Sequence, residues 1–355
     1  GGALRVGPQS AGADPGPACY GKSGTGERGA GGENDSRSTL HAGRWPLATV
    51  TDANLLLGRI PPDDFLGGAI PLYPDLAQKT ISHVGKELGL SPIETALGVI
   101  EIANAHMERA LRVISVERGY DPRDFTLLSF GGAGGLHAVD LARRLRIPEV
   151  LISPYASTFS AFGMLAADVI KDYTQTVMLP GDSSMMEISD RFAKLVQKGR
   201  GDLLKEGIDE ENIIIHSSLD MRYRGQSYEL SIPFGENFIA DFHEAHRQSY
   251  GYDHPGGEIE IVNLRVRAVG QVPSPQIAPQ PMGIAEASDA RIDIRPVTFA
   301  AGTQEIPFYR GEMLQPGNQI TGPAIVVRDD TTILIGDQDK ASVDPYLNLI
   351  LDIGY

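Results

Sequence analysis

The sequence predicts an α/β fold in two parts, a first region over 1–175 and a β-rich α+β region over 176–355. Three observations carry this. The apolar run 125–130 ends in Gly131-Gly132-Ala133-Gly134-Gly135, then a helical pattern over 136–145 and a second apolar run over 149–152 follow. Strand, loop, helix and strand in that order describe an α/β unit with a right-handed crossover. Two long amphipathic patterns precede the loop. Beyond Asp172 the character changes, and from 270 onward short alternating apolar runs stand among Pro and Gly clusters, which is the pattern of strands.

The elements follow in order. Residues 1–50 are dominated by Gly, Pro, Ser and Asp, and the polar stretch 22–44 cannot bury enough apolar surface to order itself. It is expected to be a flexible insertion, with order resuming near Ala48-Thr49-Val50-Thr51-Asp52. A helix is expected over 75–89, with Asp75 as N-cap and Leu76, Ile81, Val84 and Leu88 on one face. Ser91-Pro92-Ile93-Glu94 then supplies a cap serine, a first-turn proline and a capping-box glutamate. Ile93, Leu97, Ile100, Ala103, Met107, Leu111 and Ile114 continue that helix to a stop at Gly119. After the strand–loop–helix–strand unit a small-residue helix is expected over 158–167. The second region reads as a helix over 184–206, strands over 213–215, 217–223 and 228–232, a helix over 236–249 and a strand over 259–269. The apolar runs 324–327, 332–335 and 347–351 complete it.

Composition excludes several functions. The 355 residues suit two domains. With 46 acidic against 31 basic residues the net charge is −15, the wrong sign for displacing counterions from nucleic acid or an anionic membrane. No run approaches the ~18 apolar residues that span a bilayer. The one cysteine, Cys19, forms no internal disulfide and fits a reducing cytoplasm. The chain opens Gly1-Gly2-Ala3, without Met, in what reads as mid-domain, as a processed chain, a split subunit or a fragment would.

The strongest chemical signal is the glycine loop. Consecutive glycines after a strand let a ligand approach the backbone, and the next helix turns its N–H groups and positive dipole end towards a phosphate or adenosine group there. A tight packing turn is the alternative. The spacing is not that of the dinucleotide fingerprint. Gly16-Pro17-Ala18-Cys19-Tyr20-Gly21-Lys22-Ser23 satisfies the P-loop pattern letter for letter, but no strand precedes it and no helix can follow, so the match is accidental. Cys19 has no adjacent base to make it a nucleophile. His137 stands next to the glycine loop, within reach of a ligand there or as a structural helix-start residue. Asp14 and Asp52 lie in turns, where Asp commonly caps its own backbone; a substrate or metal role is the alternative. No cluster has zinc spacing, and no catalytic residue is assigned.

The same residues resemble the hydantoinase A/5-oxoprolinase family, which includes ATP-dependent N-methylhydantoinases and ketone carboxylase subunits. The resemblance runs through Gly12-Ala13-Asp14-Pro15-Gly16-Pro17-Ala18-Cys19-Tyr20-Gly21 and Val50-Thr51-Asp52-Ala53-Asn54-Leu55-Leu56-Leu57-Gly58-Arg59. Val116-Glu117-Arg118-Gly119-Tyr120-Asp121-Pro122, Phe130-Gly131-Gly132-Ala133-Gly134 and Asp220-Met221-Arg222-Tyr223-Arg224-Gly225 continue it, and Gly322-Pro323-Ala324-Ile325 lies near its end. It implies that the first region is part of an actin-like ATPase (RNase H-like) domain. Residues Gly131, Gly132, Ala133 and Gly134 would then contact the adenosine side of ATP, with His137 beside them. ATP and Mg²⁺ are the implied cofactors, the metal held largely by an amino-terminal half carrying an Asp-x-Gly-Gly-Thr phosphate loop. That half and a B-type subunit are the implied partners. The implied chemistry is carbonyl activation by phosphorylation, followed by ring opening of a cyclic amide or by carboxylation of a ketone; a scaffold that keeps the fold without turnover is a third possibility. Gly135, where the family usually has proline, and the long stretch 22–44 depart from the pattern.

Overall fold

The computed structural model describes residues 12, 16–21 and 48–355; Asp14 and the stretch 22–44 lie outside them. Contacts divide the chain into two compact units, one of residues up to 160 together with 277–355, the other of residues 161–276. This division differs from a single boundary near 175. The strands after 277 return to the unit that contains the glycine loop.

The first unit opens with α1 (Val50–Leu56), in which Thr49 and Asp52 cap each other's backbone N–H groups. It continues with α2 (Pro74–Leu88), which ends at Gly89 in the left-handed conformation. Next is α3 (Pro92–Ile114), started by the reciprocal Ser91–Glu94 box. This helix stops short of the expected 118. Ser115 leaves helical geometry and its hydroxyl donates back to the Leu111 carbonyl, and a 3₁₀ turn then reaches Gly119 at φ +84°. The three helices bury Ala53, Leu57, Ile81, Ala96, Val99 and Ile100 against one another. Next come β1 (Thr126–Ser129), α4 (Ala138–Leu145) and β2 (Glu149–Ile152), with β1 and β2 parallel as expected, and then α5 (Phe159–Ala166).

The second unit holds β3 (Val169–Pro180), α6 (Met185–Lys205), β4 (Ile213–Tyr223), β5 (Leu230–Pro233), α7 (Phe238–Tyr250) and β6 (Ile259–Gly270). Its sheet is antiparallel in the order β3-β6-β4-β5, and it closes over Phe192, Leu219, Met221, Phe242, Ile261 and Leu264. The runs 213–215 and 217–223 are one continuous strand.

The chain then supplies β7 (Arg291–Phe299), β8 (Gly302–Arg310), β9 (Gln319–Thr321), β10 (Ala324–Val327), β11 (Thr332–Ile335), β12 (Lys340–Val343) and β13 (Leu349–Asp352) to the first unit. One mixed sheet runs β1-β2-β13-β12-β9, with Leu349 opposite Ile152; the other runs β11-β10-β8-β7. Ala138, Val139, Ala142 and Leu145 of α4 cluster with Val150, Ile152, Ile333, Ile335, Leu349 and Leu351. Residues more than 150 positions apart therefore frame the glycine loop. No helix among the described residues is long and apolar enough to cross a membrane.

Candidate functional site

The glycine loop is held from outside itself. The Gly131 N–H donates to the Ala156 carbonyl at 2.7 Å. The Thr331 hydroxyl, just before β11, lies 3.3 and 3.1 Å from the Gly131 and Gly132 carbonyls. Gly131 has φ +89°, which only glycine adopts at no steric cost. A Cβ at Gly135 would stand 2.7 Å from the Thr332 carbonyl oxygen, so β11 fixes that position as glycine. A 3₁₀ turn over Gly134–Leu136 leads into α4. Both carbonyls are tied back, while the Gly132 and Ala133 amides have no acceptor among the described residues.

Gly132 and Ala133 line a cleft of about 180 Å³. Tyr20, Ile60, Phe65, Leu66 and Leu136 give it apolar walls, and Tyr20 packs on Phe65 with ring centroids 5.8 Å apart. The polar groups on its rim are mostly committed. Asp64 is ion-paired to Arg310, and Asp330 accepts from the Ser157 hydroxyl at 2.6 Å. Arg328, the cleft's cation among the described residues, is buried and donates to the Ser153 and Leu347 carbonyls. Burial pushes its pKa down. A narrow, apolar-walled slot with free backbone N–H groups and, among the described residues, no uncommitted cation suits a flat heteroaromatic ring better than a polyphosphate. The volume is below the ~300–1,000 Å³ of complete ligand sites.

His137, Asp14 and Asp52 fare differently. His137 does not line the cleft. It is buried, with Nδ1 2.7 Å from Asn104 Oδ1, while Asn104 Nδ2 donates to Asp140 at 3.0 Å. Because Asn104 spends its amide on Asp140, its oxygen accepts from the ring, which fixes the neutral Nδ1–H tautomer. Burial, then the charge of Arg59, push the His137 pKa down to about 4. Asp52 is fully enclosed and spent on structure. It accepts from the Ala18, Cys19 and Thr49 amides at 3.2, 2.8 and 2.9 Å and from the Thr49 hydroxyl at 2.8 Å. It staples the turn Ala18–Tyr20 to α1 and has no oxygen turned to the cleft's ligand space. Asp14 lies outside the described residues. Burial raises the pKa of enclosed Cys19, with the Asp52 charge second, so the thiol is protonated. Sequence reasoning missed Asn104, Asp140 and the hairpin residues Thr331 and Asp330, whose partners lie far along the chain. Among the described residues no group of three His, Cys, Asp or Glu side chains could hold a metal ion.

Fold and site thus define an α/β protein with a glycine-loop cleft between a strand and a capping hairpin. The chain belongs to the hydantoinase/oxoprolinase family: residues 35–173 match the hydantoinase/oxoprolinase profile and residues 182–351 its C-terminal domain. It is 41% identical to an uncharacterized protein of Methanocaldococcus jannaschii over 98% of this chain and 47% of that one. It is 33% identical to the caprolactamase subunit alpha of Pseudomonas jessenii (100% and 50%). Identity to the acetophenone carboxylase gamma subunit of Aromatoleum aromaticum is 30% (98% and 48%). Among solved structures, that of an acetone carboxylase without nucleotide superposes with a TM-score of 0.82 at 24% identity. The ATP-dependent caprolactamase of Pseudomonas jessenii gives 0.72 at 31%. Each covers 99% of this chain and 50% of the other. The chain spans about half the length of these relatives.

Proposed function

We propose that this chain is one part of an ATP-dependent enzyme that activates a cyclic amide carbonyl by phosphorylation for hydrolytic ring opening, and that its glycine-loop cleft receives the adenosine end of ATP. The carrying observation is the cleft's chemistry: free Gly132 and Ala133 amides, apolar walls, and, among the described residues, no uncommitted cation for phosphates. Phosphate and Mg²⁺ recognition then falls to an amino-terminal part, and a B-type subunit completes the assembly. The half-length coverage of relatives named as subunits supports this division.

The reaction balances simply. The amide oxygen takes the γ-phosphoryl group as the P–O bond to ADP breaks, which turns a poor electrophile into a good one. Water adds to the carbon, the ring C–N bond breaks as nitrogen takes a proton to leave an acyl phosphate, and a second water hydrolyses that to carboxylate and phosphate. This chain's residues would orient the nucleotide and keep water from its base. The second reading, a ketone carboxylase subunit with bicarbonate as co-substrate, rests on the 30% identity to a carboxylase gamma subunit and uses the same cleft.

Titration of MgADP and MgATP into the chain, alone and with its amino-terminal part, tests the cleft. Micromolar binding that strengthens with the partner and weakens at least about tenfold in Gly132→Leu is expected, because that side chain would fill the slot beside Asp330. No binding in either setting, with the complex verified, would leave the loop as a packing turn in a scaffold. ADP release driven by lactams or hydantoins, as against ketone plus bicarbonate, separates the two reactions.

A further inference from the structure

Arg59 follows α1 and is only 5% exposed, yet its Nε and Nη1 are enclosed without any hydrogen-bond acceptor. Its neighbours are the Phe299 ring, 6.0 Å from the guanidinium carbon, the charge of Asp140, and the His137 ring, whose pKa the Arg59 charge lowers. Buried guanidinium groups are ordinarily paired, because their desolvation is otherwise uncompensated. Arg59 also lines a second cavity of about 180 Å³, distinct in its walls from the glycine-loop cleft.

The cavity is a built one. Arg143 stands on one side, its Nη2 held by the Asp337 carbonyl at 2.8 Å and by the fully buried Asp339 carboxylate at 2.6 Å. Gly336 lets that guanidinium pass, since a Cβ there would lie 2.8 Å from Arg143 Nη1. Asp140 lines the cavity with one oxygen already fixed by Asn104, and Gln304 stands exposed on its wall. An unpaired guanidinium asks for an oxygen acceptor, while Arg143 beside it is already paired with Asp339. Asp140, in contrast, repels any oxygen that carries no hydrogen. A ligand satisfies both walls if it accepts at one oxygen and donates an O–H from another.

We propose that this cavity binds a small oxyanion bearing its own proton, of the hydrogen phosphate or bicarbonate type, which accepts from Arg59 and donates to Asp140. Charge-assisted bonds to the guanidinium supply affinity, and the carboxylate supplies selection. Sulfate matches phosphate in shape but carries no proton at neutral pH, so Asp140 disfavours it. The site stands independently of whether the glycine-loop cleft takes ATP.

Calorimetric titration of phosphate, bicarbonate and sulfate into the 355-residue chain at neutral pH and fixed ionic strength tests this. Phosphate, bicarbonate or both should bind, with sulfate at least about tenfold weaker. The stronger of the first two identifies the ion. Asp140→Asn should bring sulfate level with phosphate, because an amide donor replaces the carboxylate acceptor. Arg59→Met should abolish binding, and Gln304→Glu, at an exposed position, should weaken it at least about fivefold through repulsion if Arg59→Met does not fold. Gly132→Leu should change nothing. The proposal is overturned if no oxyanion binds the folded chain, if sulfate equals phosphate in the parent, if Gln304→Glu binds normally, or if Gly132→Leu removes the ion.

Discussion

Replacing Asp52 should unfold the first unit's entrance rather than silence a catalytic group. Its carboxylate satisfies four donors, two of them the amides of Ala18 and Cys19, residues with no exposed surface. Truncation to alanine orphans those two amides at about 1–3 kcal/mol each. It also removes one side of the α1 capping box, about 1 kcal/mol more. The expected loss is about 3–7 kcal/mol, a large share of a domain's typical ~5–15 kcal/mol. Asp52→Asn keeps the shape but turns an NH₂ group towards donors, and should cost about 2–4 kcal/mol. Urea unfolding followed by far-ultraviolet circular dichroism reads the Asp52→Asn loss as a midpoint lowered by about 1–4 M, given slopes of ~1–3 kcal/mol/M. An Asp52→Asn protein with its parent's midpoint and slope but no nucleotide binding would refute the structural reading and restore Asp52 as a ligand.

Three further outcomes follow from the same geometry. Unfolded histidine titrates near 6.5 and His137 in the fold at about 4, so as pH falls the unfolded state takes the proton first. Stability is then fully present above pH 6.5 and drains between 6.5 and 4, by up to about 3 kcal/mol, a slope that His137→Gln should flatten relative to the parent; equal slopes would contradict the assignment. Gly135→Ala should cost about 1–3 kcal/mol by thermal melting, because the added carbon meets the Thr332 backbone; a neutral result would mean that β11 stands further off. Cys19 should resist iodoacetamide in the native protein and react readily in denaturant, since it is enclosed and its thiol is held protonated. Modification of the folded chain at a free thiol's rate would count against the buried turn.

What the sequence disclosed and what it hid divide along the distance between partners. The start of α3 was readable because Ser91, Pro92 and Glu94 settle it among themselves, and the glycine loop because a strand must end where its glycines begin. Short α1 escaped notice, since its cap, Thr49–Asp52, looks like any polar turn until Ala18 and Cys19 arrive from more than 30 residues away. β3 escaped because its faces are mostly exposed or half-buried, so its apolar alternation is weak. Gly119 points to a helix end four residues beyond that of α3, because it is a stop signal for the 3₁₀ turn rather than for the helix itself. Runs such as 324–327 and 347–351 were recognisable as strands, but nothing local says that they belong with residues 126–152. The cleft was legible on its glycine side only; Thr331 and Asp330 reach it through that long-range pairing, and His137 looked like a ligand neighbour because Asn104 is invisible from the loop.

The pairing of β2 with β13 also sets a timetable for synthesis. Residues 149–152 leave the ribosome roughly 200 residues before the strand that lies against them, a delay of about 10–40 s at ~5–20 residues per second. Meanwhile the compact unit 161–276, contiguous in the chain, has been made in full. The half-made first unit therefore waits with an open strand edge and an uncovered α4 face, the interval in which a chaperone or an early-binding partner chain would have most to gain by being present.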